Sequence, residues 1–452
     1  MHISWRRLRR PLLSLSLAAA LLVQPVLAAS QPTVPQGWIS PFSDVKEGQW
    51  FYPFVASLNS RDVVHGYPDG RFGPNDTTRA GDSMIMVLKA AGCGDLEPLQ
   101  DTHYAASYAN YAVDHGWLTR NEVPEDLNGT VSRLFIAQLA AKALGLDPVA
   151  ADNGVSSPFA DVDDGYVTAL YQKGIVAGSF QGDTRVFCPQ DSITRAEVSA
   201  IVWQVQEYAS HIHFGAYTLD ILPGVPVNIY GKDGYQAEDS RITYNAQGMN
   251  TTTGVYVSSH QGEVDWKAVA GDGVDFAIIR AGGRYYGLDS GTIFEDTRFR
   301  ENIQGASQAG LEVGVYFFSQ AVSVEEAEEE ARFVLNLLED YDITGPVVFD
   351  WENISNDTAR TDNVDSTTLT AMANAFCSLV EEAGYHPMIY CNQYIAYLLY
   401  DLEGVAQYPL WIAQYSDAPD FYYAFQMWQY TDAGQVAGIQ GKADLTLCLE
   451  PW

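Results

Sequence analysis

Basic side chains are scarce in this sequence. Its 452 residues hold 25 Lys and Arg against 57 Asp and Glu, a formal net charge of −32. That balance argues against a nucleic-acid partner, which requires a basic footprint. It also argues against attachment to an anionic envelope by charge alone, so retention there requires specific contacts. Cysteine is scarce too: five in the whole chain, too few for a disulfide framework. The odd count leaves at least one thiol unpaired in a monomer. Cys93, Cys188, Cys377, Cys391 and Cys448 show no metal-ligand spacing and the eight His are scattered, so no metal or other cofactor is expected. After the first 30 residues no apolar run is long enough to span a bilayer.

The N-terminus does carry a positive cluster. Arg6, Arg7, Arg9 and Arg10 precede an apolar run from Leu12 to about Val23, and small residues follow at Ala28-Ala29-Ser30. A basic start, a short apolar core and a small-residue exit describe a secretory signal peptide over residues 1–28. The competing reading is a membrane anchor, for which the run is short. Cleavage would leave no integral membrane segment, and the length implies two or more domains.

Internal repetition organises the first half. Phe42-Ser43-Asp44-Val45 is followed by an apolar stretch, then His65-Gly66-Tyr67-Pro68-Asp69-Gly70, then Thr77-Thr78-Arg79-Ala80 and a second apolar stretch. The order returns with Phe159-Ala160-Asp161-Val162, Gly174-Ile175-Val176-Ala177-Gly178 and Thr194-Arg195-Ala196-Glu197. A degenerate copy lies between them, with Ser132-Arg133-Leu134. Each copy reads as helix, Gly-rich loop, helix, and a unit of this size must pack on its neighbours to bury its apolar stripe. The expectation is an all-α trio over 40–92, 98–147 and 157–208.

These residues resemble the S-layer homology module, which implies a cell-wall polysaccharide as partner. The resemblance assigns glycan binding to Arg79 and Arg195, and to Arg133 less directly; a guanidinium fork matches a carboxylate. A purely structural reading makes Thr78 and Thr194 helix N-caps, Thr194 to Glu197 having capping-box spacing.

Residues 209–251 read as a connector, with alternating apolar positions from Leu219 to Ile229 and a turn signal at Lys232-Asp233-Gly234. Beyond it eight short apolar runs alternate with helical or loop segments. They centre on Val255, Ile278, Val315, Val348, Ile389, Trp411, Met427 and Leu445. Helices are expected at about 299–309, 324–341 and 366–383. Alternation of buried strands and amphipathic helices implies a parallel sheet, and eight strands imply closure. The fold class is therefore multidomain, the helical trio preceding an irregular, TIM-like β/α barrel over 252–452.

In such a barrel reactive groups stand at C-terminal strand ends. Asp350 and Glu352 end the fourth run two residues apart, so both face the same side while Trp351 faces the other. Two close carboxylates repel, and one holds its proton more tightly. Glycosidic cleavage requires a protonated acid and an anion together. By itself Asp-x-Glu is a weak signal; its place after four apolar residues gives it weight. Tyr316, Tyr390, Trp411, Tyr415, Trp428 and Tyr430 are candidates to line a sugar cleft, each of which has core packing as its ordinary alternative.

Ordered motifs then resemble glycoside hydrolase family 25, the lysozyme-like muramidases. They include Val257-Ser258-Ser259-His260-Gln261-Gly262, Phe276-Ala277-Ile278-Ile279-Arg280-Ala281, Phe349-Asp350-Trp351-Glu352, Leu410-Trp411-Ile412-Ala413-Gln414-Tyr415, Trp428-Gln429-Tyr430 and Gly441-Lys442-Ala443-Asp444-Leu445. The resemblance implies a wall-bound enzyme that cleaves peptidoglycan between N-acetylmuramic acid and N-acetylglucosamine. It implies Glu352 as general acid/base and Asp350 as the group that orients or stabilises the substrate's N-acetyl group. Asp444, Tyr316, Tyr256, Gln414 and Trp428 are the expected substrate contacts. One position departs: the family usually has Asp in the first strand, where this chain has Tyr256. A phenol supplies no anion near neutral pH, so a non-catalytic, glycan-binding barrel stays open as the alternative.

Overall fold

The computed structural model describes residues 32–150, 156–238, 241–245, 249, 251–288, 291–354 and 357–452. The signal peptide expected over 1–28 lies outside the described residues. The chain divides into two compact units at Ile221/Leu222. No helix among the described residues is long and apolar enough to cross a membrane, and all five cysteines are free thiols.

The described residues of the first unit form six α-helices: α1 (Tyr52–Ser60), α2 (Ala80–Ala90), α3 (Ala106–Asp114), α4 (Arg133–Ala143), α5 (Gly165–Gln172) and α6 (Arg195–Ala209). The trio is not all-α, because a short antiparallel hairpin, β1 (Ser179–Gln181) with β2 (Thr184–Val186), lies between α5 and α6; a second, β3 (His211–Phe214) with β4 (Tyr217–Asp220), follows α6 in the expected connector. One apolar core runs through all three helix pairs, from Val55 and Leu58 through Leu139 to Val202.

The three copies meet as a ring. Helix N-termini leave backbone N–H groups without intrahelical partners, and here the loop of another copy accepts them. Arg195 N and Ala196 N donate to Asp76 O and Pro74 O; Ala80 N and Gly81 N to Gly129 O and Leu127 O; Arg133 N and Leu134 N to Asp191 O and Pro189 O. Thr194 forms the expected capping box with Glu197. Thr78 does not cap α2. It contacts the Ser83 hydroxyl instead, and Arg79 takes the cap position with extended backbone. The reason is length: Pro189 to Arg195 spans one residue more than Pro74 to Arg79.

In the second unit a hairpin, β5 (Tyr235–Glu238) and β6 (Arg241–Tyr244), precedes β7 (Thr252–Val257), α7 (Trp266–Gly271), β8 (Phe276–Arg284), β9 (Ile293–Glu295), α8 (Phe299–Gln308), β10 (Glu312–Ser319) and α9 (Val324–Leu338). Then come β11 (Val347–Trp351), α10 (Ser366–Glu382), β12 (Pro387–Asn392), α11 (Gln393–Leu398), α12 (Leu402–Val405), β13 (Leu410–Ala413), β14 (Met427–Gly434) and β15 (Ala443–Cys448). All eight expected strands form.

They close a ring, β7-β8-β10-β11-β12-β13-β14-β15, with β9 on the edge of β8. The ring is not wholly parallel. The last strand, β15, runs antiparallel to both β14 and β7. Too few residues separate β14 from β15 for the crossover that a parallel pair requires. Inward side chains fill the barrel with Phe276, Ile278, Val348, Met388, Trp411 and Met427. The Phe276 ring occupies the space a side chain on Gly254 would need, 2.1 Å from where its Cβ would lie. Part of the expected connector over 209–251 packs on the barrel: Asn228 N donates to Tyr422 O, and Tyr235 meets Trp428 edge-on.

Candidate active site

Strand register assembles the site. Asp350 lies level with Phe318 on β10 and Tyr390 on β12. Asp444 pairs with Tyr256 across β15 and β7. Alternation sends Asp350, Tyr256, Tyr316 and Tyr390 to the inside and Trp351 to the outside, where its indole N–H donates to Ala321 O at 3.1 Å.

Asp350 is fully buried. Its Oδ2 accepts a hydrogen bond from the Tyr256 hydroxyl at 3.0 Å; its Oδ1 accepts from no N–H or hydroxyl, and the carboxyl is in hydrogen-bond contact with that of Glu352. Burial, and then the charge of Glu352, push the Asp350 carboxyl well above the usual carboxylate range; the Tyr256 bond and the Arg280 charge oppose them. Burial raises Glu352 as well, with its contact to Asp350 opposing and the Asp444 charge adding. The two titrate as a pair that holds a proton at pH values where isolated carboxyls have lost theirs.

Tyr256 is fixed by its ring. It stacks on Tyr316 at 4.0 Å and 23°, lies nearly parallel to Tyr390 at 6.1 Å, and meets Trp411 edge-on at 5.5 Å. Burial, and then the Asp350 charge, raise the phenol well above its ordinary value, so it remains a donor. Asp444 is half-buried and accepts from Gln429 Nε2 at 2.9 Å, while the Tyr390 hydroxyl donates to Gln429 Oε1 at 2.6 Å. Burial, and then the Asp432 charge, push Asp444 up to about 6 against that Gln429 bond.

Sequence reasoning missed three supporting residues. Gln429 links Tyr390 to Asp444. Gln320, fully buried, donates from Nε2 to Glu352 O at 2.6 Å and to Ser319 O at 3.0 Å, which fixes the backbone that carries Glu352. Arg280 donates to Asp296 Oδ2 at 2.6 Å and to the Ser259 hydroxyl at 2.9 Å, holding the loop after β7. Gln429 was legible as the inward partner of two outward aromatics in Trp428-Gln429-Tyr430, and Arg280 as a charge within the apolar run Phe276 to Ala281; Gln320 carried no local signal.

Asp350, Glu352, Asp444, Tyr256 and Tyr316 therefore come together. Two expected contacts do not join them. Trp428 is fully buried outside the ring, its N–H bonded to Gln414 O at 2.7 Å. Gln414 accepts from Asp420 N at 3.1 Å within the loop after β13. Both have the parity opposite to the inward Trp411, Ala413 and Gln429. In the first unit Arg195 also departs from expectation. It is buried over the Tyr67 and Phe72 rings, donates to Phe72 O at 2.8 Å and His65 O at 2.6 Å, and lies 3.7 Å from Asp82. Arg133 is paired with Glu197 at 2.6 Å. Arg79 is exposed, lies beside the Tyr104 hydroxyl, and has no acidic partner within ion-pair distance among the described residues.

Comparison with known proteins agrees with these two units. The autolytic lysozyme of Clostridium acetobutylicum is 27% identical over 194 residues, 42% of this chain and 54% of that protein. YegX of Escherichia coli K12 is 30% identical over 207 residues, 44% of this chain and 69% of that protein. Lysozyme M1 of Streptomyces globisporus is 25% identical over 201 residues, 42% of this chain and 65% of that protein. The chain thus spans about half the length of the autolytic lysozyme it matches. The S-layer homology domain model matches residues 41–79 and 158–199, the first and third copies. The model of glycosyl hydrolases family 25 matches residues 255–439, the region that carries the barrel and its Asp350–Glu352 pair, and the chain belongs to that family.

Proposed function

We propose that the protein is a cell-surface lysozyme that hydrolyses the bond between N-acetylmuramic acid and N-acetylglucosamine in peptidoglycan, held at the wall by its S-layer homology copies. The observation that carries the reading is the buried Asp350–Glu352 pair at the barrel mouth, both carboxyls raised by burial so that the pair shares a proton, with Asp350 Oδ2 fixed by Tyr256 and Oδ1 lacking an N–H or hydroxyl donor. A buried acceptor without a donor calls for one, and the acetamido N–H of an N-acetyl sugar supplies it.

The reaction follows from that placement. Glu352 gives its proton to the glycosidic oxygen as the bond to the anomeric carbon breaks. The acetamido carbonyl oxygen closes on that carbon, and Asp350, accepting the N–H, stabilises the positive charge that develops. Water then attacks the same carbon and returns a proton to Glu352. Tyr256 takes no part in bond making. It holds Asp350 through Oδ2 and leaves Oδ1 for substrate, which supports turnover without the family's usual first-strand Asp. Digestion of purified peptidoglycan tests the reading: new muramic-acid reducing ends are expected. Binding to sacculi without any release would favour the non-catalytic barrel.

Asp444 sets the pH range. The acid must be protonated, so the rate falls as pH rises through the Glu352 pKa. The Asp444 anion helps keep that pKa high. Asp444→Asn should therefore move the alkaline limb of the pH–rate profile to lower pH. The two profiles should converge below about 6, where the wild-type Asp444 is itself protonated. An unmoved limb would remove Asp444 from this role.

Anchoring rests on Arg79. Its side chain is exposed, whereas those of Arg195 and Arg133 are already engaged with carbonyls or acids. Arg79→Ala in the full chain should lower retention on wall sacculi and leave thermal unfolding unchanged. Arg195→Ala should destabilise the first unit by roughly 3 kcal/mol, because two carbonyls and Asp82 lose a buried charged partner. Retention unaffected by Arg79→Ala would sink the assignment.

A further inference from the structure

Four neighbouring strands carry one row of residues outward from the catalytic pair. Asp350 on β11 lies level with Phe318 on β10, Phe318 with Gly283 on β8, and Gly283 with Phe294 on β9. Residues level with one another share a face of the sheet. Phe318 packs on the inward core, which identifies that face as the inner one. At strand spacings of about 4.8 Å, three steps place Phe294 roughly 14 Å from Asp350. A second contact joins Phe294 to the site: the guanidinium of Arg280, which lies level with Tyr316, is 6.0 Å from its ring centroid.

Gly283 keeps this row open. A Cβ there would lie 2.9 Å from the Phe294 ring and 3.1 Å from the Phe318 Cβ. Without one, two half-buried phenylalanines flank bare backbone. Tyr285 extends the ledge, with its ring centroid 4.7 Å from that of Phe294 and its side chain 53% exposed. The hairpin that carries these rings is firmly held. Arg284, between Gly283 and Tyr285, faces the opposite way by alternation and is buried. It donates to Glu330 Oε1 at 2.6 Å, Glu329 Oε2 at 2.8 Å and Gly291 O at 2.6 Å. Arg360 N donates to Tyr286 O at 3.0 Å, which ties the hairpin to the loop after Glu352. A charge-paired anchor on one face and open rings on the other make a preorganised binding surface.

We propose that Phe294 and Tyr285 form a distal sugar subsite, which holds a further N-acetyl sugar of the glycan strand while Asp350 grips the one being cleaved, so that the enzyme favours strands longer than a disaccharide. The proposal rests on the peptidoglycan reading of the same cleft and adds strand length to it. The occupant follows from continuity. The ledge begins at the carboxylate that receives an acetamido group, and a polymeric substrate extends beyond the two sugars on either side of the cut. Tyr285 and Phe294 carry no charge, and an aromatic face of this kind suits the C–H face of a pyranose ring.

Calorimetric titration of the full chain carrying Glu352→Gln tests the assignment without turnover. The ligands are peptide-free strands of alternating N-acetylglucosamine and N-acetylmuramic acid, one of two sugars and one of four. The tetrasaccharide should bind more tightly. Adding Tyr285→Ala should weaken tetrasaccharide binding about tenfold, the upper end of what one aromatic contact contributes, and leave the disaccharide and the thermal unfolding unchanged. Tyr285→Phe keeps the ring and should keep the affinity. Tyr286→Ala removes an equal ring at the opposite parity of the same hairpin and should bind as its parent does. Equal affinity for the two lengths, no loss in Tyr285→Ala, equal weakening of both ligands, the same loss in Tyr285→Phe or the same loss in Tyr286→Ala would overturn the subsite. Absence of binding at either length would overturn the peptidoglycan reading together with it. Length-selective, Tyr285-dependent binding without hydrolysis by the wild type would overturn the enzymatic reading alone.

Discussion

Glu352→Gln should lower the release of reducing ends from purified peptidoglycan by roughly a thousandfold or more. General acid–base catalysis contributes about 10²–10⁴ in rate, and Glu352 is used twice, first as acid and then as base. Gln is nearly isosteric and keeps the backbone carbonyl that Gln320 holds at 2.6 Å, so the fold should be unchanged by circular dichroism. Binding should also survive. Comparable rates for variant and wild type would place the acid elsewhere, and Asp444, the nearest other raised carboxyl, would be the next to test.

Asp350→Asn should be the second largest loss, about a hundredfold in kcat, the scale of one misplaced group facing developing charge. The amide is the same size but carries two donors. With its oxygen accepting from Tyr256, its nitrogen would face the acetamido N–H, donor against donor. The loss should be mainly in kcat, because the charge it stabilises appears only after the bond begins to break. Stability should not fall. The wild-type carboxyl is fully buried beside a second acid, and replacing it with a neutral group removes that repulsion. A large drop in Tm with loss of activity would instead make Asp350 a structural residue.

The barrel was legible because its signals are local. Four apolar residues before Asp350 mark a strand buried on both faces, and the i, i+2 rule places Asp350 and Glu352 together with Trp351 outside. The same rule, applied along β14, would have turned Trp428 outward and Gln429 inward; choosing aromatics by type rather than by parity led to the misplaced contact. The fate of Arg195 was not legible, since the carbonyls that engage it belong to His65 and Phe72, more than 120 residues earlier. Nor could the exposure of Arg79 be read from its motif: the motif sits one residue nearer the preceding Pro than in the third copy, which moves Arg79 onto the cap, and only the packing shows that its side chain is left exposed. Tyr256 was visible as a departure. Its consequence depends on where its hydroxyl points, which only the packing against Tyr316 and Trp411 decides.

The reversed last strand bears on when the site comes into being. β15 is hydrogen-bonded to β14 on one side and β7 on the other, so it is the stave that shuts the cask. Until residues 443–448 have emerged, the sheet is an open trough with two unpaired margins, and Asp444 is missing from its mouth. Docking of β15 between those two margins is therefore the step that completes the cleft.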